Sequence, residues 1–166
     1  MIKFTIRKYS QRDRKNCQDL WVELIEQHRQ LYQDPSIGGL HPENYFNKHV
    51  AKLGTKHLWV AATDKKVIGF GGLIVNEEEA EIEPLVVSKR NRNKGVGMKL
   101  VEALVLEARK LDVKYLSVKP VTRNIEAIKF FYKRGFANIG HIQLFINFTN
   151  KQWKKRLKLF DCQFNF

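Results

Sequence analysis

Residues Arg90-Asn91-Arg92-Asn93-Lys94-Gly95-Val96-Gly97 form a basic, glycine-bearing turn between two segments of different period. Ahead of it, Ala80-Glu81-Ile82-Glu83 alternates apolar and acidic side chains, the pattern of a half-buried strand. Behind it, Leu100, Leu104, Ala108 and Leu111 recur at helical spacing, with Val101 and Val105 beside them. A strand that feeds a glycine turn opening a helix can hold an anion. The N–H groups of a first helical turn have no intrahelical acceptor, and the helix dipole is positive there. Glycine lets a phosphate come close to the backbone. The turn is not a Walker A loop, because the order GxxxxGK[ST] is absent. A dinucleotide fingerprint also fails, for want of a third glycine and of an acidic residue closing the next strand. The remaining pattern is R-x-x-G-x-G opening a helix, either a phosphate cradle of another kind or an ordinary basic turn with glycine at a tight bend.

Glu81 and Glu83 are two residues apart, so a strand places both on one face. With Glu77, Glu78 and Glu79 they form an acidic island in a chain of net charge +13, built from 30 Lys and Arg against 17 Asp and Glu. That contrast suggests a negative pocket for a cation beside a positive one for phosphate, although a solvated hairpin tip accounts for Glu77 to Glu79 equally well. His28, His41, His49, His57 and His141 have no metal-ligand spacing, and no metal is expected.

These residues must be positioned by the elements around them. Lys3 to Tyr9 alternates as a strand. Ser10 offers an N-cap to a helix carrying Leu20, Leu24, His28 and Leu31, which ends before Asp34-Pro35. Pro42 opens a short second helix through Val50. Leu58 to Thr63 and Val67 to Val75 read as a hairpin about Asp64-Lys65-Lys66. Gly69, Gly71 and Gly72 in its second strand mark a bulge, tight packing or a close ligand. Tyr115 to Lys119 is a further strand, ended by Pro120. Asn124 caps a helix through Arg134, Gly135 suits a left-handed C-terminal position, and strands follow over Phe136 to Ile139 and Gly140 to Phe148. The order implies an α/β (α+β) domain over residues 1–148: a mixed, mostly antiparallel sheet with one parallel pair and helices on both faces. Residues 149–166 form an extension. Trp153, Leu157 and Phe160 fit a basic amphipathic helix, while Phe160, Cys162, Phe164 and Phe166 fit a period of two. Either way it is expected to dock on its own domain or on a second subunit, giving a homodimer.

The R-x-x-G-x-G turn in this context resembles the acetyl-coenzyme A motif of the GNAT N-acetyltransferase superfamily. Asn124, Ala127, Tyr132, Gly135 and Phe136 match the family's second signature, N-x-x-A-x-x-x-x-Y-x-x-G-F. The resemblance implies a sheet whose parallel pair splays at a cofactor cleft. It places the backbone N–H groups of Arg92, Asn93, Lys94, Gly95, Val96 and Gly97 on a pyrophosphate, and main-chain groups of Leu85, Val86 and Val87 along the pantetheine arm. Pro84 fits a strand whose pairing is interrupted there. Asn124 is implied as a hydrogen-bond partner of the cofactor. Tyr132 is implied as the proton donor to the departing thiolate, since a phenol is protonated at neutral pH. Glu81 or Glu83, or an ordered water, is implied as the base that frees the acceptor amine, with Glu83 the nearer to the thioester if a bulge shifts the register. The acceptor would be a small-molecule or peptide amine, bound in part by the first helix and the loop through His41.

Composition bounds the alternatives. At 43% hydrophobic and 28% charged residues the chain is globular, and no apolar run is long enough to cross a bilayer. The first residues, MIKFTIRKYS, lack the apolar core of a signal peptide, and the two cysteines, Cys17 and Cys162, make no disulfide framework. A cytoplasmic protein acting away from membranes is therefore expected. No cysteine lies in either motif, which favours direct attack by the amine over a covalent acetyl-enzyme. The competing reading is a basic nucleic-acid-binding or protein-interaction module without catalysis, using Lys151, Lys154, Lys155, Arg156 and Lys158. No helix-turn-helix, zinc or RNP pattern accompanies that patch.

Overall fold

The computed structural model describes residues 2–148, 153 and 156–166. The chain forms two compact units, residues 1–119 and 120–166. The first holds five strands in the order β1 (Thr5–Lys8), β2 (Leu58–Ala62), β3 (Val67–Asn76), β4 (Glu79–Val87) and β5 (Tyr115–Ser117). All neighbours are antiparallel except β4 and β5, the one parallel pair. This matches the mixed sheet expected from the element order.

Helices cover both faces of this sheet. Along β2 the side chains alternate between them. Leu58, Val60 and Ala62 join Cys17 and Leu20 of α1 (Arg14–Tyr32) and Phe46 and Leu53 of α2 (Glu43–Leu53). Ala61, with Ile68, faces the opposite way, toward Val96 and Leu100 of α3 (Val96–Lys110). The period-two pattern thus becomes two cores, one per face. Phe46 is the hub of the first, with ring centroids 6.4 Å from Tyr9, 6.2 Å from Trp21 and 5.5 Å from Phe70.

The β3 glycines answer a packing demand. A Cβ on Gly69 would lie 2.9 Å from the Val86 carbonyl, and one on Gly71 would lie 2.9 Å from a Leu104 methyl of α3. One on Gly72 would meet Leu53 of α2 at 3.0 Å. The register of β3 against β4 shifts between Gly71 and Leu73, which face Leu85 and Ile82. Glu83 and Pro84, joined by a cis peptide, therefore sit at a bulge, where a residue without an N–H disturbs the ladder least.

The beginning of α1 is anchored by Asp13, which is 4% exposed. Arg7 of β1 donates to both of its oxygens, at 2.7 and 2.8 Å, and the Ser10 N–H and hydroxyl donate to Oδ2 at 2.9 and 3.1 Å. The capping role expected of Ser10 is thereby shared with Asp13. Cys17, one turn further, is fully buried, and burial pushes its thiol up to about 12. Because the thiolate is the reactive form, only Cys162 is expected to take a thiol reagent in the folded protein. Mass spectrometry after native labelling should find one modification at Cys162, and denatured protein should carry two.

In the second unit, α4 (Ile125–Tyr132) is closed at both ends by its own sequence. The Asn124 side chain accepts from the Ala127 N–H at 3.1 Å, and Gly135 has φ 90°. The Phe136 N–H donates to the Phe131 carbonyl at 3.3 Å, and their rings meet at 5.5 Å. The expected strands over Phe136 to Ile139 and Gly140 to Phe148 do not form. Ile142, Leu144, Ile146 and Phe148 keep the alternation of a strand but are exposed and lack a ladder. Alternation specifies which face is apolar, whereas a strand also needs a neighbouring edge. The ladder of this unit is instead a hairpin of β6 (Arg156–Leu159) and β7 (Cys162–Asn165), joined at Phe160-Asp161. The helical reading of Leu157 and Phe160 thus fails, and the period of two holds for β7. Lys151, Lys154 and Lys155 of the basic patch lie outside the described residues. Among those described, no helix is long and apolar enough to cross a membrane.

Candidate active site

The glycine turn begins where β4 ends. The Ser88 N–H donates to the Ile68 carbonyl at 2.9 Å, and one short helical turn over Lys89–Asn91 follows. Asn91, nearly buried, donates its side-chain amide to the Ser88 hydroxyl at 2.7 Å. Asn93 and Gly95 then adopt left-handed conformations at φ 58° and 82°, and α3 opens at Val96. The N-cap residue, Gly95, has no side chain to cap this helix. The space that a Cβ on Gly95 would face is open for at least 4 Å. Val96 anchors the first turn in the core, while Gly97 leaves its surface bare. An uncapped helix start beside open space is the arrangement that binds a phosphate.

Two side chains of α1 brace the turn. Glu23 accepts from the Lys89 N–H, and Gln27 accepts from Arg92 Nη2 at 2.9 Å. Arg92 Nε also donates to the Val87 carbonyl at 3.1 Å, and Lys94 caps the Arg90 carbonyl at 2.7 Å. Both cationic side chains thus hold the loop's shape, leaving the backbone to face an anion. Glu23 and Gln27 were not legible as site residues. Their only signal is the i, i+4 spacing that puts them on one side of a helix.

Upstream, the ladder between β4 and β5 covers only Glu79, Ala80 and Glu81, paired with Tyr115, Leu116 and Ser117. From Ile82 to Val87 the β5-facing edge of β4 has no strand partner among the described residues. Leu85, Val86 and Val87 therefore lie along an edge with no strand on it, where Arg92 already bonds the Val87 carbonyl and an extended, amide-bearing ligand could bond as an added strand would.

The acidic island divides. Glu77 and Glu78 form the exposed β3–β4 turn, and Glu78 pairs with Lys114 at 2.6 Å. Glu81 is bound by Lys119 at 2.5 Å, which raises the lysine's pKa through that hydrogen bond. Glu83 stands apart at the bulge. Its side chain is 46% exposed, and its partner is His49 of α2, with Nδ1 3.7 Å from Oε1. Among the described residues, the short lysine contact falls on Glu81, and Lys119 reaches Glu83 only as a more distant charge. His49 is a site residue the sequence did not reveal.

The loop after α1 is shaped by Arg29, which donates to the Ile37 carbonyl at 2.9 Å and the Gly39 carbonyl at 2.7 Å. A cleft of about 400 Å³ lies there, lined by Arg29, Pro35, Ser36, Gly39 and Leu40. In the second unit, Asn124 spends its side-chain oxygen on the helix cap, and Tyr132 ends α4 with 65% of its surface exposed. Among the described residues no group of three or more His, Cys, Asp or Glu is placed to hold a metal ion.

Comparison with known proteins agrees with this fold. Solved structures of the same fold include a GNAT-family acetyltransferase from Staphylococcus aureus Mu50, with TM-score 0.66, 14% identity, and coverage of 80% of this chain and 84% of that one. Glucosamine-6-phosphate N-acetyltransferase from Arabidopsis thaliana aligns with TM-score 0.62 and 22% identity over 89% of this chain and all of its own. The PaiA N-acetyltransferase from Thermoplasma acidophilum, solved with coenzyme A, gives TM-score 0.65 and 17% identity over 80% and 89%. No curated protein sequence matches. Residues 19–136, from α1 through the second signature, match the sequence model of the acetyltransferase (GNAT) family, and the chain belongs to that family.

Proposed function

We propose that this acetyltransferase moves the acetyl group of acetyl-coenzyme A to a primary amine by direct attack in a ternary complex, with Glu83 as base and Tyr132 as acid. Acetyl-coenzyme A is the acetyl donor of the family, and the chain's residues fit it. The open edge at Leu85, Val86 and Val87 suits the amide-bearing pantetheine arm, and the uncapped start of α3 suits the pyrophosphate. Backbone N–H groups from Arg92 to Gly97 would hold the phosphates, and Asn124 would bond the cofactor arm. The domain is proposed to span residues 1–148.

The observation that carries the assignment of the base is the division of the glutamates. Glu81 is occupied by Lys119, while Glu83 is half exposed at the bulge with an imidazole beside it. An amine must lose a proton before its lone pair can attack, and Glu83 is placed to accept one. Tyr132 would return a proton to the sulfur as the carbon–sulfur bond breaks. Holding both reactants side by side would supply much of the remaining acceleration through proximity.

The test measures coenzyme A release with spermidine, kanamycin, lysine and a short peptide bearing a free N-terminus. Acetyl-coenzyme A alone is expected to raise the melting temperature by mass action. Glu83→Gln should lower kcat about 100-fold with the acetyl-coenzyme A KM unchanged, and Glu81→Gln should cost far less. An equal loss in Glu81→Gln and none in Glu83→Gln would move the base to Glu81. Absence of any thermal shift, together with salt-sensitive retention on DNA, would favour the non-catalytic basic module instead.

A further inference from the structure

We propose that His49 is the proton partner of Glu83, receiving on Nδ1 the proton that Glu83 takes from the acceptor amine. This rests on the reading of Glu83 as the base. The geometry is a two-point contact: Nε2 lies 3.1 Å from the Glu83 carbonyl oxygen, and Nδ1 lies 3.7 Å from Glu83 Oε1. A carbonyl oxygen can only accept, so the backbone contact assigns a proton to Nε2. In the neutral ring Nδ1 then carries a lone pair, 3.7 Å from the carboxylate oxygen and so one small closure from hydrogen-bond distance. In that tautomer the open site is Nδ1, on the side of the group that needs somewhere to send a proton.

The packing holds the ring in this pose. Phe46, one turn earlier on α2, fixes the helix in the core, and the Trp21 ring of α1 lies 5.1 Å from the imidazole. The His49 side chain is 10% exposed, against 46% for Glu83. The histidine is therefore largely shielded from solvent, and the glutamate is not. Of the neighbouring charges, Lys119 bonds Glu81 and also feels the Glu83 carboxylate, Arg14 bonds Asn47 of α2, and Lys48 lies over the Tyr45 ring.

The step balances without a further reactant. The ammonium N–H bond breaks and its electron pair stays on nitrogen. The proton passes to the Glu83 carboxylate and on to Nδ1, leaving an imidazolium facing a carboxylate. After acetyl transfer the proton returns through Glu83 to solvent. His49 touches no reacting atom and acts as a positioning residue with a proton-holding role.

Two measurements on the full chain test this. In ¹⁵N correlation spectra of the histidine rings, with His49 assigned by its loss in His49→Gln, the neutral ring is expected to carry its proton on Nε2. A neutral ring protonated on Nδ1 overturns the proposal, whatever the acceptor. In kinetics with the amine of the panel above that wild type turns over fastest, His49→Gln is expected to lower kcat about tenfold to 100-fold with the acetyl-coenzyme A KM within about twofold. Glutamine keeps an N–H for the Glu83 carbonyl and cannot take up a proton, so a purely structural histidine would be replaced without loss. Full kcat in His49→Gln alongside a loss in Glu83→Gln overturns the role of His49 alone. Full kcat in Glu83→Gln overturns Glu83 as the base.

Discussion

Tyr132→Phe is expected to lower kcat about 100- to 1,000-fold while leaving the melting temperature and the acetyl-coenzyme A KM near wild type. The size follows from the leaving group. Coenzyme A departs as a thiolate, and a phenol that protonates the sulfur as the bond breaks removes charge from the transition state alone. Binding of the ground state is untouched, so the loss falls on kcat and not on KM. The folding arm follows from the structure. Tyr132 is the last residue of α4 and is 65% exposed, whereas its neighbour Phe131 is 8% exposed and packs against Phe130 and Phe136. Losing one hydroxyl at an exposed position changes stability by less than about 0.5 kcal/mol. Steady-state kinetics and a thermal melt on one preparation check both arms, and full activity in Tyr132→Phe removes the phenol as general acid.

The parts of the molecule legible from sequence are those fixed by neighbouring residues. Gly95 announced a glycine turn opening a helix, and it stands at φ 82° directly before α3. Asn124 and Gly135 announced the ends of one helix, and each closes α4 by a local hydrogen bond. Pro84 announced an interrupted ladder, and the register of β3 on β4 shifts there. What stayed hidden depends on contacts across long stretches of chain. His49 meets Glu83 over 34 residues, Gln27 meets Arg92 over 65, and Glu23 meets Lys89 over 66. No local pattern encodes such pairs. The Phe160-Asp161 turn was missed for a different reason. Both residues take positive φ, at 50° and 59°, and Phe at the first position departs from the Asn-Gly or Asp-Gly pair that usually marks a two-residue hairpin. Ile142 to Phe148 shows the converse error, a strand pattern that forms no ladder among the described residues.

Arg7→Met is expected to destabilise the fold by about 3–5 kcal/mol at neutral pH, because it strands a buried carboxylate. Asp13 is held below the ordinary carboxylate range first by the hydrogen bonds from Arg7, with the Ser10 N–H and hydroxyl adding to the effect and burial opposing it. A carboxylate with a lowered folded pKa contributes stability that is fully present above its unfolded value and is lost as pH falls through the folded value. In wild type, then, this contribution persists at neutral pH and fades only in acid. Without the guanidinium, the cost of burying the charge is greatest at neutral pH and shrinks as acid neutralises Asp13. The difference in melting temperature between Arg7→Met and wild type should accordingly be about 10 °C near neutrality and should narrow on acidification. A gap that stays constant with pH would mean that lost packing, not a stranded charge, is the cause. The same variant connects stability to the active site. Asp13 fixes the start of α1, and α1 carries Glu23 and Gln27, which brace the turn from Lys89 to Arg92. Loosening that anchor frees the turn whose backbone is proposed to hold the pyrophosphate, so Arg7→Met should also raise the acetyl-coenzyme A KM. Tyr132→Phe should leave that constant unmoved. The pair of variants separates the binding of the cofactor from the chemistry performed on it.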